Sequence, residues 1–98
     1  MVIKQQAQAG TFESSDMLVL VEPVSEGTGR IIELHSPVMI QFGKSIKEEI
    51  INVLDEYEIK DVRLICNDKG ALSATISARV ETAIRRALMI QDGVLPSK

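Results

Sequence analysis

From Val38 to Tyr57 the apolar side chains return at helical spacing. Val38, Phe42, Ile46, Ile50, Val53, Leu54 and Tyr57 fall on one side of a 3.6-residue period, with Lys and Glu on the other. This predicts an amphipathic helix over residues 37–57. Ser36-Pro37 supplies its start, because a serine oxygen accepts from orphan N–H groups and proline lacks an N–H where none is needed. Gly43 lies inside and weakens the helix by up to about 1 kcal/mol, so a break into two shorter helices is the alternative. One long helix with a single apolar stripe must be buried against something else in a chain of 98 residues.

The flanking segments have the other period. Met17-Leu18-Val19-Leu20-Val21 is a near-continuous apolar run that predicts a strand buried on both faces, or an edge offered to a partner. Pro23 ends it, and Ser25 to Gly29 is a flexible connection. Arg30 to His35 reads as a second strand with Ile32 and Leu34 on one face, and the two make a plausible hairpin. Val62, Leu64 and Cys66 alternate with Arg63 and Ile65 as a third strand, followed by a turn at Asn67 to Gly70. Residues 71–80 fit both a strand and a helix. The hairpin-like turn favours a strand to about 79 and a helix over 80–90. The expected fold is α+β, a small antiparallel sheet in the order ββαββα with two helices packed on one face. The chain is expected to form one domain over 1–98, with an irregular N-terminal arm at 1–13 and a disordered tail at 91–98.

Charge narrows the partners. Residues 1–43 hold two cations against five carboxylates, and the remainder is balanced, nine against nine. An acidic first half argues against nucleic-acid binding, which needs a clustered basic surface, and suits docking to basic proteins. No apolar run approaches the ~20 residues of a membrane span, and Met1 to Gly10 is too polar for a signal peptide. The single cysteine, Cys66, fits a reducing cytoplasm and reads as a buried small hydrophobe.

Most catalytic constellations are missing. One histidine, His35, and one cysteine make no Cys/His metal cluster, and nothing marks a nucleophile elbow or a phosphate loop. No catalytic residue and no metal ligand is expected. The local oddity is the polar turn Glu13-Ser14-Ser15-Asp16, whose hydroxyls are accessible to a modifying enzyme or serve an ordinary turn.

Ala9-Gly10-Thr11-Phe12-Glu13-Ser14-Ser15-Asp16 resembles the A-G-T-x-E-S-G-D segment of the citrate lyase acyl carrier subunit, the gamma chain. Gln41-Phe42-Gly43 is similar to that family's Q-F-G, Asp68 to Leu72 to its D-K-G-A-L, and Ala78 to Glu81 to its A-R-L-E. The resemblance spans nearly the whole chain. It implies a non-catalytic carrier bearing 2'-(5''-phosphoribosyl)-3'-dephospho-CoA through a phosphodiester on Ser14. Ser15, which stands where the family has glycine, is the alternative attachment point. It implies partnership with the transferase (alpha) and lyase (beta) subunits and with a prosthetic-group transferase, in the cytoplasm. Glu13 and Asp16 are then expected as recognition marks flanking the serine. A carrier of the malonate decarboxylase type and a small interaction domain without a prosthetic group are the competing readings.

Overall fold

The computed structural model of the chain describes residues 1–89. The elements are β1 (Ala7–Ala9), β2 (Met17–Glu22), β3 (Arg30–His35), α1 (Met39–Glu56), β4 (Val62–Asp68) and α2 (Ser73–Ala87). They form an α+β fold in which both helices pack on a four-stranded sheet of order β1-β2-β4-β3.

The sheet is mixed. β2 runs antiparallel to β1 and β4, while β3 runs parallel to β4. The expected β2–β3 hairpin is absent, because β4 lies between the two strands. α1 supplies the long crossover that a parallel pair requires. Asp61 fastens this arrangement by accepting N–H bonds from Gly27 (3.1 Å) and Gly29 (2.7 Å), which tie the β2–β3 connection to the foot of β4. β2 has partners on both sides, so it is interior and offers no free edge for docking.

The expected order ββαββα is corrected to βββαβα at two places. Within the arm, Ala7 to Ala9 pair with Val21 to Val19, and Ile3 is buried. The segment expected as a strand to 79 is helix from Ser73. Two physical reasons decide it. β4 is already paired on both edges, so no ladder is left for a strand following it. The Asp68 carboxylate also takes the N–H groups of Gly70 (3.1 Å) and Ala71 (2.8 Å), closing a local turn instead of a hairpin. Ile76, Val80, Ala83, Ile84 and Ala87 then bury one helical stripe. Residue 90, the expected end of that helix, and the tail 91–98 lie outside the described residues.

α1 is continuous through Gly43, and its start falls two residues later than Pro37. Gly43 is itself on the buried side, with Met39 packed over it. That rotates the stripe to Gly43, Ile46, Ile50, Val53 and Leu54, and leaves Phe42 at 55% exposure. The core is aliphatic: Met17, Val19, Val21, Val62, Leu64 and Cys66 on the sheet meet Ile50, Leu54, Val80 and Ile84 on the helices. Each such fully buried side chain contributes roughly 1.5–3 kcal/mol. Burial pushes the Cys66 thiol up to about 12, so it stays protonated and inert. Tyr57 donates to Glu81 (2.6 Å) and accepts from Arg85 (3.2 Å), pinning the end of α1 to α2.

Candidate functional site

Residues 10–16 leave the sheet between β1 and β2. Gly10 opens the excursion at φ 90°, packed so closely that a Cβ there would lie 1.7 Å from the Met17 carbonyl oxygen. The chain then turns back over Glu13-Ser14-Ser15-Asp16, closed by the Asp16 N–H on the Glu13 carbonyl at 3.2 Å. Ser15, third in the turn, has φ 64°, and the second residue, Ser14, is not left-handed. A positive φ at the third position alone is the signature of a type II turn, which prefers glycine there.

The turn is braced from three sides. Thr11 Oγ1 accepts the Glu13 N–H (3.1 Å) and donates to Asp16 Oδ2 (2.7 Å). Asp16 Oδ1 accepts from Arg79 Nε on α2 and from the Met17 N–H, both at 2.7 Å. Ser15 N–H donates to the Lys69 carbonyl (2.8 Å), and Lys69 N–H donates to the Asp16 carbonyl (2.9 Å). The Asp16 carboxylate is thus turned inward and only 9% exposed. The Arg79 bond, then those from Thr11 and Met17, hold its pKa far below the usual carboxylate range. Ser14 and Ser15 are both exposed on the outer side of this braced turn.

A groove of about 480 Å³ opens beside the turn. Phe12, Ser14, His35, Asn67 and Lys69 line it; Ser15 does not. Lys69 Nζ stands 5.7 Å from the centroid of the Phe12 ring. The wall behind is fixed by Asp68, which is 3% exposed and takes the Ser36 hydroxyl at 2.7 Å. Ser36 Oγ also accepts the Val38 N–H (3.1 Å) ahead of α1. His35 projects to solvent beside Glu33, at 2.9 Å. Among the described residues no group of three or more His, Cys, Asp or Glu could hold a metal ion.

Thr11, Phe12, Lys69 and Arg79 were not singled out from the sequence as site residues, although three separate stretches of the resemblance contain them. The A-G-T-x-E-S stretch, the D-K-G-A-L stretch and the A-R-x-E stretch converge on this one turn. Gln41-Phe42-Gly43 lies on α1 and does not line the groove.

Two expected results follow. Ser15→Gly relieves the left-handed backbone and should stabilise the fold by about 1 kcal/mol, a Tm rise of about 4–8 °C in a thermal melt. A Tm that stays or falls would show that Ser15 is unstrained. The second concerns pH. Asp16 has a depressed folded pKa, so between that value and the usual 3.8 the unfolded chain binds more protons. Its stabilising contribution is complete above about pH 5 and is lost as pH falls through the folded pKa. Melts across the acid range should therefore show a shallower acid loss in Arg79→Leu than in the parent, and equal slopes would disprove the coupling.

The model of the malonate decarboxylase delta subunit family (MdcD), an acyl carrier family, matches residues 4–87. The chain belongs to this acyl carrier family, among the citrate lyase acyl carrier proteins. It is 47% identical over 87 residues to the citrate lyase acyl carrier protein of Treponema denticola, covering 89% of this chain and 97% of the relative. It is 44% identical to that of Halothermothrix orenii, covering 89% and 90%, and 41% identical to that of Serratia proteamaculans, covering 98% and 91%. A chain from the crystal structure of a Pseudomonas malonate decarboxylase hetero-tetramer in complex with malonate shares the fold, with a TM-score of 0.75 and 19% identity over 89% of this chain and 88% of that one. The chain is an acyl carrier, and membership of such a family implies a covalently attached prosthetic group. Among the described residues no helix is long and apolar enough to cross a membrane.

Proposed function

We propose that this chain is the carrier subunit of a cytoplasmic citrate lyase and holds 2'-(5''-phosphoribosyl)-3'-dephospho-CoA on Ser14 through a phosphodiester. The observation that supports the reading most is the exposed Ser14 hydroxyl on a braced turn beside a groove that also presents the Lys69 ammonium. The residues fit the group: a phosphodiester needs an accessible hydroxyl and tolerates a nearby cation. The bound arm supplies a thiol on which acetyl and citryl groups are carried as thioesters between the transferase (alpha) and lyase (beta) subunits.

The protein contributes position. Thr11, Asp16 and Arg79 hold the turn against α2, so the anchoring point is rigid while the arm itself sweeps. Tethering of this kind raises the effective concentration of the carried group at each active site and lowers the entropic cost of meeting it. Glu13, exposed next to Ser14, offers charge to a basic surface on the prosthetic-group transferase. Asp16 serves recognition through the turn it holds in shape, since its own oxygens are occupied. Glu13→Lys should slow loading several-fold in a timed mass assay; an unchanged rate would remove Glu13 from recognition.

The test of the function is the intact mass of the chain produced together with its maturation enzymes. An increase equal to one phosphoribosyl dephospho-CoA unit supports the carrier reading. No increase, with the same enzymes shown to load an authentic carrier, overturns it. The match to the malonate decarboxylase delta subunit family favours a second reading, a carrier for a complex of that type. Presenting the loaded chain to citrate lyase and to malonate decarboxylase subunits separates the two.

A further inference from the structure

We infer that the groove beside Ser14 is a docking site for the adenine nucleotide of the arm, with Phe12 stacking on the base and Lys69 pairing with the phosphates. The inference rests on the carrier reading and adds to it a resting position for the arm on its own domain.

Three observations lead there. Phe12 is 62% exposed on the very segment that carries the serine, so its ring forfeits burial unless something covers it. Lys69 stands at that ring, 5.7 Å from the centroid, and among the described residues its ammonium makes no ion pair. The groove between them, about 480 Å³, has the size of a small-ligand cleft, and Ser14 is part of its wall. A group esterified to Ser14 therefore begins at the wall of the groove. An aromatic face for stacking and a cation for phosphate are the two elements by which proteins hold nucleotides without base-specific contacts. The carboxylate in the wall, Asp68, opposes a phosphate least where it is, because the Ser36 hydroxyl and the Gly70 and Ala71 N–H groups cover its oxygens.

A nucleotide held in this way leaves the thiol end of the arm to sweep from a shorter, better-defined anchor. Docking and release then compete with delivery to the enzyme subunits, at an effective concentration set by the tether.

The test uses the intact chain and amide NMR. Unloaded protein titrated with dephospho-CoA should shift the amides of Phe12, Ser14, Asn67 and Lys69, and leave that of Asn52 on the far part of α1 unmoved. Phe12→Ala and Lys69→Gln, both at exposed positions and checked for an unchanged melt, should each weaken binding about fivefold or more. The loaded chain should show the same groove amides shifted without added ligand. Groove amides that do not respond, or variants that bind as the parent does, overturn the inference. A chain that loads normally but keeps its unloaded groove shifts defeats the docking site and leaves the carrier reading standing. A chain that binds dephospho-CoA in the groove yet accepts no arm keeps the site and defeats the carrier reading.

Discussion

Gly10→Ala is expected to lower the Tm by about 12–24 °C, or to prevent folding outright. The new Cβ would sit 1.7 Å from the Met17 carbonyl oxygen and 2.8 Å from its carbon, with Arg79 Cδ at 3.2 Å. The two nearest contacts are backbone atoms, which cannot swing aside as a side chain can. A left-handed residue with a Cβ costs about 1–2 kcal/mol, and forcing an extra carbon into a closed contact costs about 1–3 kcal/mol more. A total near 3 kcal/mol is a large part of the stability of a chain this small, and each kcal/mol moves Tm by about 4–8 °C. Gly27→Ala is the control. Gly27 also has positive φ, 89°, but nothing lies within 4 Å of its added carbon. It should show only the conformational cost of about 1–2 kcal/mol. If the two variants melt together, the close approach at Gly10 carries no energetic weight. The difference matters for function because Gly10 leads directly into Thr11, whose hydroxyl is one brace of the serine turn.

The parts of this fold legible in the sequence are those governed by local period. Met17 to Val21 and Val62 to Cys66 read as strands, and the stripe from Ile46 to Leu54 as a helix, because burial on one face stamps its period on a short stretch. Pairing is not local. Nothing between residues 23 and 61 announces that β4 enters between β2 and β3, and the adjacency of the first two strands in the chain points to a hairpin instead. Residues 71–80 carry both periods at once. The tie was decided by Asp68, whose side chain takes the amides a hairpin would have used, and by β4 having no open edge. Phe42 shows the same limit on a smaller scale: one glycine on the inner face, Gly43, rotates the buried stripe and turns the aromatic out.

The candidate site divides along the same line. The Glu13-Ser14-Ser15-Asp16 turn was legible because its polar run interrupts an apolar strand entry. Its anchoring was not, since Arg79 lies 63 residues from Asp16 and the Lys69 backbone lies 54 residues from Ser15. The glycine that the resembling family places at position 15 has its explanation in the left-handed φ of Ser15, a conformation no reading of residue types could assign.

Ser14→Ala should take up no arm at all, while Ser15→Ala and Ser15→Gly should load as the parent does. Both hydroxyls are exposed, so accessibility does not separate them. Their places in the turn do. Ser14 is second in the turn and forms part of the groove wall next to Lys69 and Phe12. Ser15 is third, strained at φ 64°, with its N–H fixed on the Lys69 carbonyl and its side chain outside the groove lining. An enzyme that brings a phosphorylated nucleotide donor to this surface meets the Lys69 charge on the side of Ser14. Removing either hydroxyl from an exposed turn should change stability by about 0.5 kcal/mol or less, apart from the gain expected for glycine at 15, so loading can be compared in folded proteins. The measurement is intact mass after co-production with the maturation enzymes, followed by peptide mapping across the turn. An adduct that persists in Ser14→Ala and disappears in Ser15→Ala would move the attachment by one residue and leave the carrier role in place. The arm would then start outside the groove lining, and the docking site argued for Phe12 and Lys69 would stand or fall on the dephospho-CoA titration.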